Sequence, residues 1–344
     1  VLGRTNLGAV TVTGSSTSTI GTIAIAGAAA TESTGIGVGV AVNVIDADAT
    51  SSIAGSTVTD ADAVSALAIS NRTIQSLAGG IAAAGKSAAG FGATVNIMTG
   101  TSTIASLDRS NITGAASITV DADSTGQIDS IAAAISLSKN TAIGGAATVN
   151  VSDAVTRASA SNATLDASGA IDVDAMDTVQ INSLAGQISG SKGSAIGAAI
   201  SANVIGHTVE AISDTSDLTS GGGGIEIAAR SEADINTLAA AVGISGNASI
   251  NGSVTVNDIG NTIRARANGT ELNAGSGTID ILAEKGTEIS SLAGAIAGSG
   301  GNAFGVAVAV NVIHDTVTAD LGGTGPVTAC LLYTSDAADE VSPV

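Results

Sequence analysis

Gly305–Ile313, GVAVAVNVI, decides the fold because closely similar stretches occur five more times along the chain. Each copy contains one asparagine, and successive asparagines are separated by 53, 54, 53, 54 and 54 residues. Such a nearly constant period predicts a repeat architecture. The six asparagines are Asn43, Asn96, Asn150, Asn203, Asn257 and Asn311.

A second landmark, I-x-x-[IL], precedes each asparagine and confirms the phase of the repeat. Its second apolar residue lies 20 positions before the asparagine in the first copy and 19 in the other five. The six landmark pairs are Ile20/Ile23, Ile74/Leu77, Ile128/Ile131, Ile181/Leu184, Ile235/Leu238 and Ile289/Leu292. We therefore divide a repeat region at 1–329 into copies at 1–58, 59–112, 113–165, 166–218, 219–272 and 273–325.

Four extended segments are predicted in each copy. The first alternates apolar and polar residues, as in Ile118-Thr-Val120, which indicates a strand with one solvated face. The second begins at I-x-x-[IL], where glycine and the short length favour a strand over a helix. The third contains the asparagine; both of its faces are apolar or small, which predicts burial on both sides. A short fourth segment leads into the next copy.

Composition favours stacked layers. Apolar residues make up 44% of the chain, but aromatic residues only 1%, and there are 45 glycines. Valine, isoleucine and alanine suit narrow spaces between regular layers. The sequence therefore predicts an all-β, elongated parallel β-helix (β-solenoid) with two coils per repeat. The alternative is a stack of antiparallel hairpins, each formed by the second and third segments across a short turn.

The C-terminal stretch Cys330–Glu340, CLLYTSDAADE, interrupts the repeat and contains the only cysteine and the only tyrosine. It resembles the in-frame translation of an adapter used in sequencing libraries, so we interpret residues 330–344 as not native. Removing the three acidic residues of this tail changes the net charge from −19 to −16. The lack of cysteine elsewhere fits an exported bacterial protein. The acidic balance argues against nucleic-acid binding and against insertion into an anionic membrane.

The pattern I-x-S-L-A-G…G-x-A-V-x-V-N-V-I…T-x-A resembles repeats of large secreted bacterial adhesins, the filamentous-haemagglutinin-like and leukotoxin-like surface proteins. The resemblance implies a β-helical shaft at the bacterial cell surface, exported through the outer membrane by a two-partner or autotransporter route. It also implies a receptor or glycan partner on a host or neighbouring cell, bound by other parts of the protein, and stacking on further repeats. Copies one and five depart from the pattern at Ile23-Ala-Ile25 and at Asp258.

The asparagines are the only site residues that the sequence predicts, and their predicted role is structural. Aligned in stacked strands, their amides can hydrogen-bond along the axis. No catalytic residue, cofactor, cofactor-binding residue or metal ligand is predicted, so the chain is not expected to be an enzyme. Gly80–Ser87 matches the phosphate-loop pattern, but a strand rather than a helix follows, and Lys139 and Lys192 occupy the equivalent turns.

Two alternative functions remain open from the residues. Aspartate pairs at Asp46/Asp48, Asp60/Asp62, Asp121/Asp123 and Asp172/Asp174 could bind calcium in a calcium-stabilised module. Some β-helices act on polysaccharides through clustered carboxylates, which makes such an enzyme the other alternative. The two histidines, His207 and His314, are out of register with each other by one residue and have no recurring carboxylate near them in the sequence.

Overall fold

The computed structural model describes residues 8–323 and 325–329, together with the backbone of residues 331–336. These ranges contain 22 β-strands and no helix. The strands are β1 Val10–Ala30, β2 Thr34–Ile45, β3 Ala49–Ala54, β4 Thr57–Thr59, β5 Val64–Ala84, β6 Ser87–Asp108, β7 Asn111–Ala115, β8 Ile118–Ser138, β9 Thr141–Ser161, β10 Thr164–Ala167, β11 Ile171–Ser191, β12 Ser194–Asp214, β13 Asp217–Ser220, β14 Ile225–Ser245, β15 Ala248–Ile259, β16 Thr262–Asn268, β17 Glu271–Asn273, β18 Thr278–Ser299, β19 Asn302–Ile313, β20 Thr316–Gly322, β21 Val327–Thr328 and β22 Leu331–Asp336.

Three parallel sheets contain all of these strands. Sheet 1 has the order β1-β5-β8-β11-β14-β18-β22. Sheet 2 follows the path β19-β15-β12-β9-β6-β2, and β3, β16 and β20 extend it where the long strand is broken. Sheet 3 is narrow and has the order β21-β17-β13-β10-β7-β4. The chain visits the three sheets in turn and repeats the circuit, so the protein is a parallel β-solenoid.

Each repeat forms one coil, and the prediction of two coils per repeat is wrong. Ile118 pairs with Val64 on one side and with Ile171 on the other, so paired residues lie one full repeat apart. The first two predicted segments are one continuous strand of 21 residues, and in β6, β9 and β12 the last two are another. One circuit therefore uses the whole repeat. We number these coils as rungs 1–6, after β1, β5, β8, β11, β14 and β18.

The hairpin alternative is also wrong. All strand pairs in the described residues are parallel, as between β5 and β8 or between β6 and β9. The short turn at Gly85 and Lys86 carries the chain from sheet 1 to sheet 2, and the two strands that it joins belong to different sheets. The second segment is a strand, as the sequence predicts.

The core lies mainly where all three sheets meet. There, Ile118 from sheet 1, Leu107 from sheet 2 and Ile112 from sheet 3 belong to one continuous apolar cluster and are fully buried. A second cluster contains Ile74 and Ile128 from sheet 1 and Met98 from sheet 2. The first isoleucine of the I-x-x-[IL] landmark is therefore a core residue.

Beyond this second cluster, sheets 1 and 2 face each other alone and form a thin region that we call the blade. In rung 4 it consists of residues 182–191 and 194–204, with the equivalent residues in the other rungs. A Cβ atom on Gly80 would lie 2.3 Å from the carbonyl oxygen of Phe91 and 2.4 Å from that of Gly37. The two backbones approach far more closely than the usual spacing of about 10 Å between packed sheets. Only glycine, alanine and small polar residues fit most of this interior.

The solenoid segment is broader than it is tall. A strand of 21 residues extends about 70 Å, whereas six rungs at about 4.8 Å each give about 29 Å along the axis. Each further repeat would add one layer of the same breadth. Across the described part of the chain, no helix has the length and hydropathy needed to cross a bilayer.

Candidate functional site

The structure brings all six asparagines into one column inside the blade. The side-chain Nδ2 of each of the first five asparagines donates to Oδ1 of the asparagine in the next rung, at distances of 2.7–2.8 Å. From Asn43 to Asn257 the side chains are buried. An amide is neutral and has both a donor and an acceptor, so a column of any length can satisfy itself along the axis.

Hydroxyl groups accept the second Nδ2 hydrogen of several asparagines. Asn96 donates to Ser76 and Asn150 to Ser130, both at 2.9 Å across to sheet 1, whereas Asn203 donates to Ser201 of its own strand at 3.2 Å. These bonds tie the two sheets together where little apolar surface is buried. Because the amide groups bond to one another and to neighbouring hydroxyls, the column is a structural ladder.

A second buried polar group lies between the two apolar clusters, in rungs 2–4. His207 Nδ1 contacts Asp177 Oδ1, and His207 Nε2 lies 2.8 Å from Ser152 Oγ. Thr156 Oγ1 donates to the other oxygen of Asp177 at 3.1 Å. The arrangement has the connectivity of a Ser-His-Asp triad.

Arg72 extends this network. It is fully buried, and its guanidinium donates to Thr101 Oγ1 at 2.5 Å and to Ser124 Oγ at 2.7 Å. Burial lowers the pKa of Arg72, and the nearby charge of Asp177 opposes that shift. Burial acting alone would raise the pKa of Asp177, but His207, Arg72 and hydrogen bonds from His207 and Ser124 outweigh it and hold this pKa below its usual value.

The Ser-His-Asp group is closed to substrates. Ser152, His207 and Asp177 are at most 2% exposed, and all three side chains point into the solenoid. Nucleophilic catalysis needs a carbonyl carbon within about 3 Å of the serine oxygen, and there is no room for one here. Its role in the structure is to compensate buried charge. His314, one register position away, faces outward and contacts Asp258 at 3.1 Å instead.

Sequence reasoning missed this network because its members come from six strands, β5, β6, β8, β9, β11 and β12. Asp177 precedes His207 by 30 residues, and Ser152 precedes it by 55. One signal was available. Asp177 occupies a register column that contains serine in four other rungs, at Ser16, Ser70, Ser124 and Ser231. A charged residue in an inward serine column requires a partner from the facing column.

The outer faces of the blade are apolar and exposed, so the prediction that the asparagine strand is buried on both sides is wrong. In rung 1, Val40, Val42 and Val44 are more than half exposed on sheet 2, while Ala41 and Asn43 between them are buried. On sheet 1 the second landmark residue is exposed in rungs 1, 3, 4 and 6, reaching 75% at Ile23, and half-buried in rungs 2 and 5. Residues three apart in a strand point to opposite faces, which places the two landmark residues on different sides.

Carboxylates gather on the outer face of sheet 1 away from the blade. Arg230 pairs with Glu226, with Asp174 at 3.4 Å and with Glu284 at 3.5 Å. Burial, followed by the neighbouring charge of Glu226, raises the pKa of Asp174 to about 7, and Arg230 opposes the shift. Burial likewise raises the pKa of Asp172.

The predicted aspartate pairs do not combine into a metal cluster. Within the described ranges, no group of three or more histidine, cysteine, aspartate or glutamate side chains has an arrangement that could hold a metal ion. Asp48, for example, accepts hydrogen bonds from the amide and hydroxyl of Ser102 at 2.8 and 2.7 Å. These hydrogen bonds lower its pKa.

A groove runs along the axis on the outer face of sheet 1. It measures about 760 Å³ and spans rungs 3–6 between a polar column that includes Asp129 and Asn182 and an apolar column that includes Leu184. Asp129 is the only carboxylate that lines it. Glycoside hydrolysis uses two facing carboxyl groups, so this groove does not have the composition of such a site.

The residues Gly80–Ser87, which match the phosphate-loop pattern, form the end of β5 and the tight turn that follows it at the edge of the blade. β5 ends at Ala84 and β6 begins at Ser87, so no helix N-terminus is present to bind phosphate. Lys86, Lys139 and Lys192 are exposed in successive turns of this edge.

No family model, curated protein or solved structure matches the chain.

Proposed function

We propose that the chain is a non-catalytic segment of the shaft of a large bacterial surface adhesin. One observation carries the proposal: consecutive copies stack in continuous parallel register at a spacing of 53 or 54 residues. A protein built this way gains length and lateral surface with each repeat, and each rung depends mainly on its neighbours. The resemblance of the repeats to filamentous-haemagglutinin-like and leukotoxin-like adhesins supports the same role.

The shaft extends by adding rungs of the same kind. The asparagine ladder ends in rung 6 at Asn311, whose Oδ1 accepts from Asn257, so a further rung with an asparagine in this column would continue the ladder. Broad rungs also give such a shaft extended lateral surfaces for weak, multivalent contacts. Recognition of a receptor or glycan belongs to other parts of the protein in this proposal.

Surface labelling of the cells that make the protein tests the proposal. An antibody raised against residues 8–323 should label intact, unpermeabilised cells, and the signal should disappear after brief treatment with an external protease. Labelling that requires permeabilisation would contradict the proposal. Two assays on the purified chain address the other functions: release of reducing ends from polysaccharides would indicate an enzyme, and a large rise in Tm with calcium over chelator would indicate a calcium-stabilised module.

A further inference from the structure

The outer face of sheet 1 in the blade is uncharged along its whole height. It is formed by the outward-facing residues of segments 23–29, 77–83, 131–137, 184–190, 238–244 and 292–298, and none of the residues in these segments is aspartate, glutamate, lysine or arginine. The chain as a whole carries 41 such residues and a net charge of −19. Leu292, Ile296 and Ile188 are 62%, 64% and 52% exposed on this face. On soluble proteins, a contiguous exposed apolar patch larger than about a few hundred Å² marks an interaction surface.

Two adjacent outward columns give this face its shape. In rungs 2–6 the column that we call the trough holds small residues, at Gly79, Ala133, Gly186, Ala240 and Gly294. The next outward column, the ridge, holds Ile81, Ile135, Ile188, Val242 and Ile296. Ridge and trough run side by side along the axis, and the trough above rungs 3–5 forms an apolar groove of about 310 Å³.

Rung 1 inverts the two columns. There the trough position is Ile25 and the ridge position is Gly27, so the large and small residues have exchanged places. In all six rungs, therefore, the two positions together hold one large and one small side chain. A two-fold axis parallel to the solenoid axis would place the ridge position of one copy over the trough position of the other within the same rung. Large then meets small in every rung, including the inverted one.

We propose that this face binds the same face of a second copy of the chain, rung against rung, to form a two-fold dimer. Seven residues along the strand and six rungs give a flat area of about 650 Å² per copy, close to the roughly 800 Å² per partner of a standard interface. The rungs also repeat at about 4.8 Å, a corrugation that a second sheet of the same period matches along its whole length. The proposal rests on the fold and does not depend on the proposed role at the cell surface.

An exchange of residues within rung 4 tests this packing. Gly186→Ile fills the trough while Ile188 keeps the ridge, so two large side chains should meet and the dissociation constant of the dimer should rise about tenfold or more. The double variant Gly186→Ile/Ile188→Gly copies the arrangement of rung 1 and should restore the parent affinity. Space around Gly186 is open within one copy, its nearest contact being Leu184 Cδ2 at 4.0 Å, so the fold should tolerate the change.

A second pair of variants identifies the face. Ile188→Lys should abolish association, whereas Ile196→Lys, at a similarly exposed position of sheet 2 in the same rung, should leave it unchanged. Association is measured by sedimentation velocity of the full chain over a wide concentration range, with circular dichroism of each variant as the folding control. A parent chain that stays monomeric, a dimer weakened by Ile196→Lys instead, or a double variant that is not rescued would each overturn the proposal. So would a monomer that binds phosphatidylcholine vesicles through this face.

Discussion

Asn150 Nδ2 donates to Asn203 Oδ1 at 2.7 Å, although the two residues are 53 positions apart. Asn150 also accepts from Asn96 and donates to Ser130. This one side chain therefore links three successive rungs and both sheets of the blade. The blade interior has little apolar volume, so satisfied amides supply much of its specificity of register.

Replacing an interior asparagine should weaken the fold more than its size suggests. Asn150→Ala leaves the amide of Asn96 and the carbonyl of Asn203 buried without their partner, and we expect a loss of about 2–4 kcal/mol in the free energy of unfolding. Val149→Ala, on the outer face of the same strand, is the matched control and should cost well under half as much. Urea denaturation followed by circular dichroism measures both. Equal losses for the two variants would show that the ladder contributes no specific stability.

The close approach of the two sheets predicts contrasting effects at two glycines of sheet 1. Gly80→Ala places a Cβ within 2.4 Å of carbonyl oxygens from Phe91 and Gly37, and should cost about 1–3 kcal/mol or more through overpacking. Gly186→Ala meets nothing closer than 4.0 Å and should be neutral or stabilising by a few tenths of a kcal/mol. Thermal unfolding of the two variants provides the comparison. A Gly80→Ala protein as stable as its parent would show that sheets 1 and 2 are not in close contact at this glycine.

Removing Asp177 should show how much the free energy of unfolding depends on pairing the buried charge of Arg72. Asp177→Ser restores the residue found in four other rungs but leaves Arg72 without its nearby carboxylate, and breaking such a buried pair costs about 3–5 kcal/mol. Combining it with Arg72→Thr, the residue that rung 6 holds in the same column at Thr287, removes both charges and should recover much of the loss. A double variant that is as unstable as the sum of the two single variants would argue against the pairing.

Two aspartates, Asp174 on the outer face of sheet 1 and Asp177 in the buried network, should make stability depend on pH in opposite ways. The pKa of Asp174 is raised to about 7 in the folded protein, above its unfolded value of 3.8, so its ionisation disfavours folding as pH rises through this window. Asp174→Asn should therefore raise Tm at pH 8 and change it little below pH 4. An equal change of Tm at pH 8 and below pH 4 would contradict this cause. Asp177 has the reverse sign: its lowered pKa contributes stability above pH 3.8 that is lost as pH falls further.

Much of this fold could be predicted from the sequence, for physical reasons that particular residues make clear. The spacing of Asn150 and Asn203 gives the repeat length, and the lack of helix signals near Ile128 gives the strand class. The number of coils per repeat could not be obtained in this way, because a constant period fixes only the length of the repeat. Strands such as β8, with 21 residues, are also far longer than the usual five or six.

The exposure of the apolar outer faces could not be predicted from the sequence, for a different reason. A strand such as Val40–Ile45, with apolar or small residues on both faces, normally indicates burial on both sides. The sequence does not show whether a neighbouring sheet covers the second face, and in this solenoid no part of the described chain covers Val42. The Asp177–His207 contact was equally hidden, since facing columns can be matched only after the single-coil register is known.

The single-coil register makes a sharp prediction about deletions. Removing residues 225–278 joins Gly224 directly to Ile279. Because Ile279 occupies the same register position as Ile225, the remaining strands stay in register, and Asn203 lies directly beneath Asn311. The shortened chain should remain a folded solenoid with five rungs and a denaturant m-value lower by about one sixth, since m follows the surface exposed on unfolding. Deleting only residues 225–251 removes half a circuit and would bring sheet 1 positions against sheet 2 positions, so this variant should not fold cooperatively. If both deletions folded equally well, the coil would be half a repeat long, because only then would either cut leave every remaining strand in register with its neighbours.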